Sequence, residues 1–157
     1  LHKEYRRQRQ MCIRDRYDAV LVDIQNFEKF RNRMAYLELV FMAPDPIARS
    51  KDRYKVDSFT SKEISMATSL ATKGIFTFTG SANKITNMRT GEFIEILSGT
   101  SNKFVIDCEK EVVTIGSNRA MDRLNVYSDF FEIRSGDTIK ATSPVTLEYY
   151  ERYLYDR

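Results

Sequence analysis

The sequence predicts an all-β protein, an antiparallel β-sandwich of about eight to ten strands. Three observations carry this. The dominant apolar period is two. In "RMAYLELVFMA" it puts Ala35, Leu37, Leu39 and Phe41 on one face and Tyr36, Glu38, Val40 and Met42 on the other. Phe, Tyr, Thr, Ile and Val, which suit a pleated and half-buried surface, are abundant. Short alternating runs are separated by turn signals, and no stretch keeps a 3.6-residue period over three turns.

"YDAVLVDI" (17–24) reads as the first strand and "RMAYLELVFMA" as its neighbour, with polar residues 26–32 as a loop or short helical turn between them. "APDPIARSKDR" then breaks the pattern. Neither proline can donate to a ladder, and the residue before each is pushed to extended geometry. Residues 44–53 therefore read as a domain boundary or crossover, with the Asp45 carboxylate accepting local backbone N–H groups beside Pro46. "KEISMAT" (62–68) and "GIFTFTG" (74–80) are the next strands. "KITNM" and "EFIEIL" form a hairpin about "RTG", where Gly91 supplies the positive φ of a tight turn. "KFVIDC" and "VVTIG" form a second hairpin, and "DFFEI" and "TIKAT" flank a third turn, "RSGD". "VTLEYYERYL" is the closing strand, and residues 118–127 allow one helical turn. The expected core is Ile75, Phe76, Phe78, Ile85, Ile94, Ile96, Phe104, Ile106, Val113, Ile115, Phe131, Ile133, Leu147 and Tyr149.

The first sixteen residues stand apart. Of the 25 Lys and Arg residues and 22 Asp and Glu residues, six and two respectively fall there, so the basic balance belongs to this segment and the rest is near neutral. It has no apolar period, no apolar targeting core and no small-residue cleavage site. Back-translated in a single frame, Leu1 to Asp15 and the start of Arg16 resemble a transposase-type sequencing adapter. The segment is set aside as non-native, and with it the basic-arm reading for nucleic acid or anionic membrane. The same reading expects native sequence to begin at Tyr17 and the native N-terminus to lie upstream.

The remaining residues contain no histidine and the chain no tryptophan, which removes Ser–His–Asp and Cys–His catalysis and imidazole metal sites. No apolar run is long enough for a membrane span. A near-neutral body gives no support for nucleic-acid binding. No catalytic, metal or cofactor residue is assigned. Asp107 and Glu109 in "IDCE" could pair as acid and base or hold a cation, but a strand running into a solvated turn explains them without a site. Cys108 alternates with Ile106 and reads as a packed thiol. "TGE" and "SGD" read as hairpin turns before ligand loops. "YYERYLY" serves either as an aromatic sugar platform or, more commonly, as core on one face and neighbour contact on the other. If both faces of the strand carrying Tyr36, Val40 and Met42 are apolar, a packed ring interface fits it, and an ordinary central strand fits it equally. The candidate partner interface is accordingly Tyr36, Val40, Met42, Asp45, Pro46, Tyr149, Tyr150 and Tyr153.

Three blocks in order carry a family resemblance. They are "MAYLELVFMAPDP", then "FTGSANKITNMRTGEFIEILSG…NKFVIDCEKEVVTIGSNR", then "SDFFEIRSGDTIKATSPVTLEYYERYL". Their order and spacing resemble the distal tail protein family of siphophages and related prophages. The resemblance implies an N-terminal domain that forms a hexameric ring under the tail tube and a galectin-like C-terminal β-sandwich that projects outward. It places residues 17–46 as the end of a truncated ring domain and 47–157 as the outer sandwich. It implies a non-enzymatic baseplate hub without cofactor, located in the virion tail tip and assembled in the bacterial cytoplasm. The implied partners are the tail tube, a tail-associated tip or lysin protein and a receptor-binding protein, with a cell-surface glycan as a further candidate. No nucleic acid and no membrane insertion are implied. The alternative from the residues themselves is a carbohydrate-binding sandwich module of a larger surface protein or enzyme. A hydrolase fragment is disfavoured by the missing histidine and the absence of a paired-carboxylate arrangement.

Overall fold

The computed structural model describes residues 15–16, 19–30, 34–42, 44 and 47–154, and side chains at 19–24, 37–42, 44 and 47–154. Most of the adapter-like segment, Tyr17, Asp45, Pro46 and the side chain of Tyr36 lie outside the described residues. Two compact units are formed, one by residues 1–49 with 154–157 and the other by Ser50–Tyr153.

The first unit contains β1 (Asp15–Arg16), β2 (Val20–Phe30), β3 (Met34–Met42) and most of β4 (Ile47–Ser50). β2 and β3 pair antiparallel from Val20↔Met42 to Phe30↔Met34. The expected loop at 26–32 is thus corrected, because β2 continues through Phe30. A register shift between Gln25 and Glu28 takes up Asn26 and Phe27. Among the described residues the apolar side chains of this two-stranded ribbon are open on both faces, except the half-buried Val40. Val20, Val22 and Ile24 on β2 and Phe41 and Met42 on β3 are all more than half exposed. Two strands alone cannot bury their faces. Amide exchange in β2 and β3 is therefore expected to be far faster than in residues 94–115. Equal protection in both regions would refute this.

The second unit is built on one curled antiparallel sheet. Its strands are β5 (Tyr54–Glu63), β6 (Ile75–Gly80), β7 (Asn83–Asn87), β8 (Phe93–Ile96), β9 (Asn102–Asp107), β10 (Val112–Ile115), β11 (Asn118–Arg119) and β12 (Thr138–Tyr149). β13 (Arg152–Leu154) follows. The sheet order is β11-β10-β9-β6-β12-β7-β8, with β5 on the other edge of β12. β12 makes the curl. Its first half pairs with β7 through Ile139↔Asn87 and Ala141↔Ile85, and its second half with β6 through Thr146↔Thr77 and Glu148↔Ile75. The hand-over lies at Ser143–Pro144, where the proline has no N–H to give a ladder. Asn83, almost fully buried, replaces the lost bonds. Its Oδ1 accepts from Ser143 N at 3.0 Å and Thr142 Oγ1 at 2.9 Å, and its Nδ2 donates to the Ser143 carbonyl at 3.2 Å. The sequence reading of "TIKAT" and "VTLEYYERYL" as separate strands is corrected accordingly. β12 runs through the proline, and β13 alone is separate.

Alternation fills the interior. Phe76, Phe78, Phe104, Ile106 and Val113 from one arm of the sheet join Ile85, Ile94 and Ile96 from the other in a single core cluster. Phe131, Ile133, Leu147 and Tyr149 are buried as expected, whereas Ile75 and Ile115 are only partly buried. Ile75 precedes a buried Phe76, so a period of two cannot bury both. Two further readings are corrected. "KEISMAT" is not a strand; β5 ends at Glu63, although Ile64 and Met66 are buried. "DFFEI" forms no strand either, only a single bridge between Ile133 and Thr72. The helical turn allowed at 118–127 is a 3-10 turn at Met121–Arg123. Among the described residues no helix is long and apolar enough to cross a membrane.

Candidate interaction surface and buried polar centres

Alternation at the end of β12 decides what the tyrosine cluster does. Tyr149 points inward and is 4% exposed. Its ring stacks on Tyr54 with centroids 5.8 Å apart, as the direct register Tyr149↔Tyr54 requires. Of the two roles the sequence left to Tyr149, the core takes it, and its place in an exposed interface is corrected. Tyr150 points the other way and is half-buried, with the Arg53 guanidinium 5.1 Å from its ring centre. Tyr153 is also half-buried, and its hydroxyl donates to the Glu151 carboxylate. Burial, then the bond to Glu151, holds the Tyr153 hydroxyl well above the usual phenol range. The three rings therefore do not form one exposed row.

Glu151 was not singled out in the sequence. It is 2% exposed and saturated by partners. Ala67 N donates to its Oε1 at 2.9 Å, Ser50 N donates to its carbonyl at 2.9 Å, and its own N–H donates to Ser50 Oγ at 3.2 Å. The other candidates lie on β3 and beyond. Val40 is half-buried and Met42 exposed. Asp45, Pro46 and the Tyr36 side chain lie outside the described residues.

The acidic pair in "IDCE" sits at the β9–β10 turn. Asp107 Oδ1 accepts from Glu109 N and Lys110 N, both at 3.0 Å, and Oδ2 lies 3.5 Å from Lys110 Nζ. This is an Asx-type turn, in which the first carboxylate is spent on its own backbone. Cys108 between them is fully buried. Burial first, then the neighbouring Asp107 charge, pushes the thiol up to about 12. Cys108 is expected to react with a thiol reagent at pH 8 at least about a hundredfold more slowly in the native protein than after unfolding. Peptide mapping of the modified cysteine measures this, and comparable native and unfolded rates would contradict the packing.

"TGE" is the β7–β8 turn. Gly91 has φ of +80° and donates to the Asn87 carbonyl at 2.8 Å. "SGD" is more than a turn. Asp137 is 0% exposed and receives Asn87 Nδ2 at 2.8 Å, Arg134 N at 3.0 Å and Arg89 Nη2 at 3.1 Å on Oδ2, with Arg89 Nε on Oδ1. Burial alone would raise its pKa. The bonds from Arg89, Asn87 and Arg134 N outweigh it and hold the carboxyl below its ordinary value. Arg89 is about half exposed, so the pair sits at the rim of the core.

All buried side-chain nitrogens and oxygens among the described residues have partners. Asn83, Asn87, Asp137 and Glu151 each close a turn or a strand end. This construction defines an all-β structural domain whose polar interior serves the fold. The sequence model of one family, the siphovirus-type tail component, C-terminal domain, matches residues 65–153. The chain belongs to that family. The fold is also that of a solved structure, SPP1 Dit (gp 19.1), described as a paradigm of hub adsorption apparatus in phages infecting Gram-positive bacteria. The similarity has a TM-score of 0.72 at 14% identity and covers 89% of this chain and 61% of that one. The chain thus spans about three-fifths of the length of that protein. No curated protein matches the chain.

Proposed function

We propose that the chain is part of a distal tail, or baseplate hub, protein of a siphophage or prophage. The observation that carries this is the family match, which lies within the Ser50–Tyr153 unit. Residues 47–157 are the outward galectin-like domain and residues 17–46 the end of a ring-forming domain. The β2–β3 ribbon, with apolar side chains open on both faces, suits a segment completed by neighbouring strands. In the full-length protein the ring is a hexamer joined to the tail tube, to a tip or lysin protein and to a receptor-binding protein. The protein resides in the virion tail tip after assembly in the bacterial cytoplasm. Its work is assembly and not turnover, so no cofactor is assigned. Val40, Met42, Tyr150 and Tyr153, with Tyr36, Asp45 and Pro46, are the candidate contact residues.

The neighbouring reading frames test the assignment. A tape-measure gene upstream and a tip or lysin gene downstream are expected. Flanking genes for a polysaccharide enzyme or an adhesin would overturn it. A glycan array with the purified chain tests the carbohydrate-binding alternative, and a blank array is expected. A sharp hit lost in Tyr150→Ala or Tyr153→Ala, with the thermal midpoint unchanged, would favour a sugar-binding module instead.

A further inference from the structure

A concavity of about 320 Å³ opens between the loop after β8, the β9 strand, β11 and the 3-10 turn. Thr100, Asn102, Asn118, Arg119, Asp122 and Arg123 supply its polar wall. Among the described residues neither Arg119 nor Arg123 forms an ion pair, and Asp122 on the same wall reaches neither of them. Two guanidiniums against one carboxylate leave the wall net positive.

Both arginines are anchored by backbone. Arg119 is held in the β10–β11 register opposite Thr114. Arg123 receives Leu97 N on its carbonyl at 2.8 Å and donates its N–H to the Ala120 carbonyl at 3.2 Å. Its guanidinium lies close against Gly99. A Cβ at position 99 would fall 1.3 Å from Nη2 and 2.2 Å from Cζ. A glycine leaves room for the Arg123 fork in this placement, and any side chain at position 99 would displace it. A guanidinium presents rigid, paired donors that match the two oxygens of a carboxylate or phosphate.

We propose that this concavity binds an oxyanion, the chemistry shared by phosphate and carboxylate groups, with Arg119 and Arg123 as donors and Gly99 as the positioning residue. The site does not depend on the hub assignment. The test follows the arginine Nε–Hε NMR signals of the whole chain during titration with inorganic phosphate and, separately, acetate. Sodium chloride at equal ionic strength is the control. Saturable shifts at Arg119 and Arg123 are expected with phosphate, acetate or both, and the responding salt identifies the group. Arg119→Gln and Arg123→Gln should each weaken binding by about fivefold or more. Gly99→Ala should weaken it similarly with the thermal midpoint unchanged, because the added methyl displaces a movable side-chain end and not the backbone. Shifts that grow without saturating in all three salts would overturn the proposal. So would undiminished binding by both arginine variants, and undiminished binding by Gly99→Ala would remove that residue's role.

Discussion

Phe104→Ala is expected to lower the unfolding free energy by about 3–5 kcal/mol. Phe104 is 0% exposed and lies on β9 opposite Phe78, with the two rings stacked 5.1 Å apart. It also pairs with Ile115 of β10 across its other edge. Three adjacent strands thus meet at this one side chain. The surrounding ladders hold the backbone, so the site collapses poorly and the cavity persists. The lost stacking adds to the lost burial. Urea unfolding of variant and parent measures the difference. A loss below about 1.5 kcal/mol, the scale of a well-tolerated core swap, would mean that the site closes around the missing ring.

Asp137→Ala should cost about 2–3 kcal/mol, with a distinctive pH dependence. The substitution leaves Arg134 N without its acceptor, Asn87 Nδ2 with only the Glu132 carbonyl at 3.4 Å, and Arg89 without its partner. Arg89 is half exposed and can rehydrate, so the cost stays below that of breaking a fully buried pair. The folded carboxyl titrates below its ordinary value, which is the unfolded one. Its contribution is therefore complete above the unfolded pKa, about 3.9, and is lost as pH falls through the folded pKa. The gap between parent and variant should be constant from about pH 5 upward and narrow below about pH 4. Unfolding measured between pH 3 and 7 checks this. A gap that does not change over that range would mean that the carboxylate charge contributes nothing and only the cavity matters.

The sequence was most legible where one rule acted alone. The β7–β8 and β9–β10 hairpins followed from alternation plus Gly91 and the Asp107 turn, all of them local. β5 escaped because its alternation is broken. Ser58 has φ of +29°, and the buried Phe59 and half-buried Val56 are three residues apart instead of two. A bulge like this resets the period in a way that no local pattern announces. β12 was divided at Pro144 because a proline ordinarily ends a strand. Asn83, far away in the chain, makes the crossing tolerable. "DFFEI" misled in the opposite sense. Phe131 and Ile133 alternate and are buried, but extended chain against a core has the same period as a strand in a ladder. The candidate surface was only partly legible. Tyr149 and Tyr150 are neighbours of one type, and the face each takes depends on register with β5 and β6. The Asp137 centre was invisible because its partner Arg89 is 48 residues distant and no spacing rule links them.

The curl at β12 also fixes an order of events in time. β5, β6 and β7 all wait for a strand made well after them; Glu63 pairs with Thr138 and Ile85 with Ala141. A nascent chain that has not yet reached Thr138 has three strands with open edges and no means of joining its two arms. Folding dominated by such distant pairs is slow, and the waiting edges are prone to mispairing. The domain therefore closes only once β12 has been made, and a message cut short of β12 yields aggregation-prone chain instead of a smaller version of the same domain.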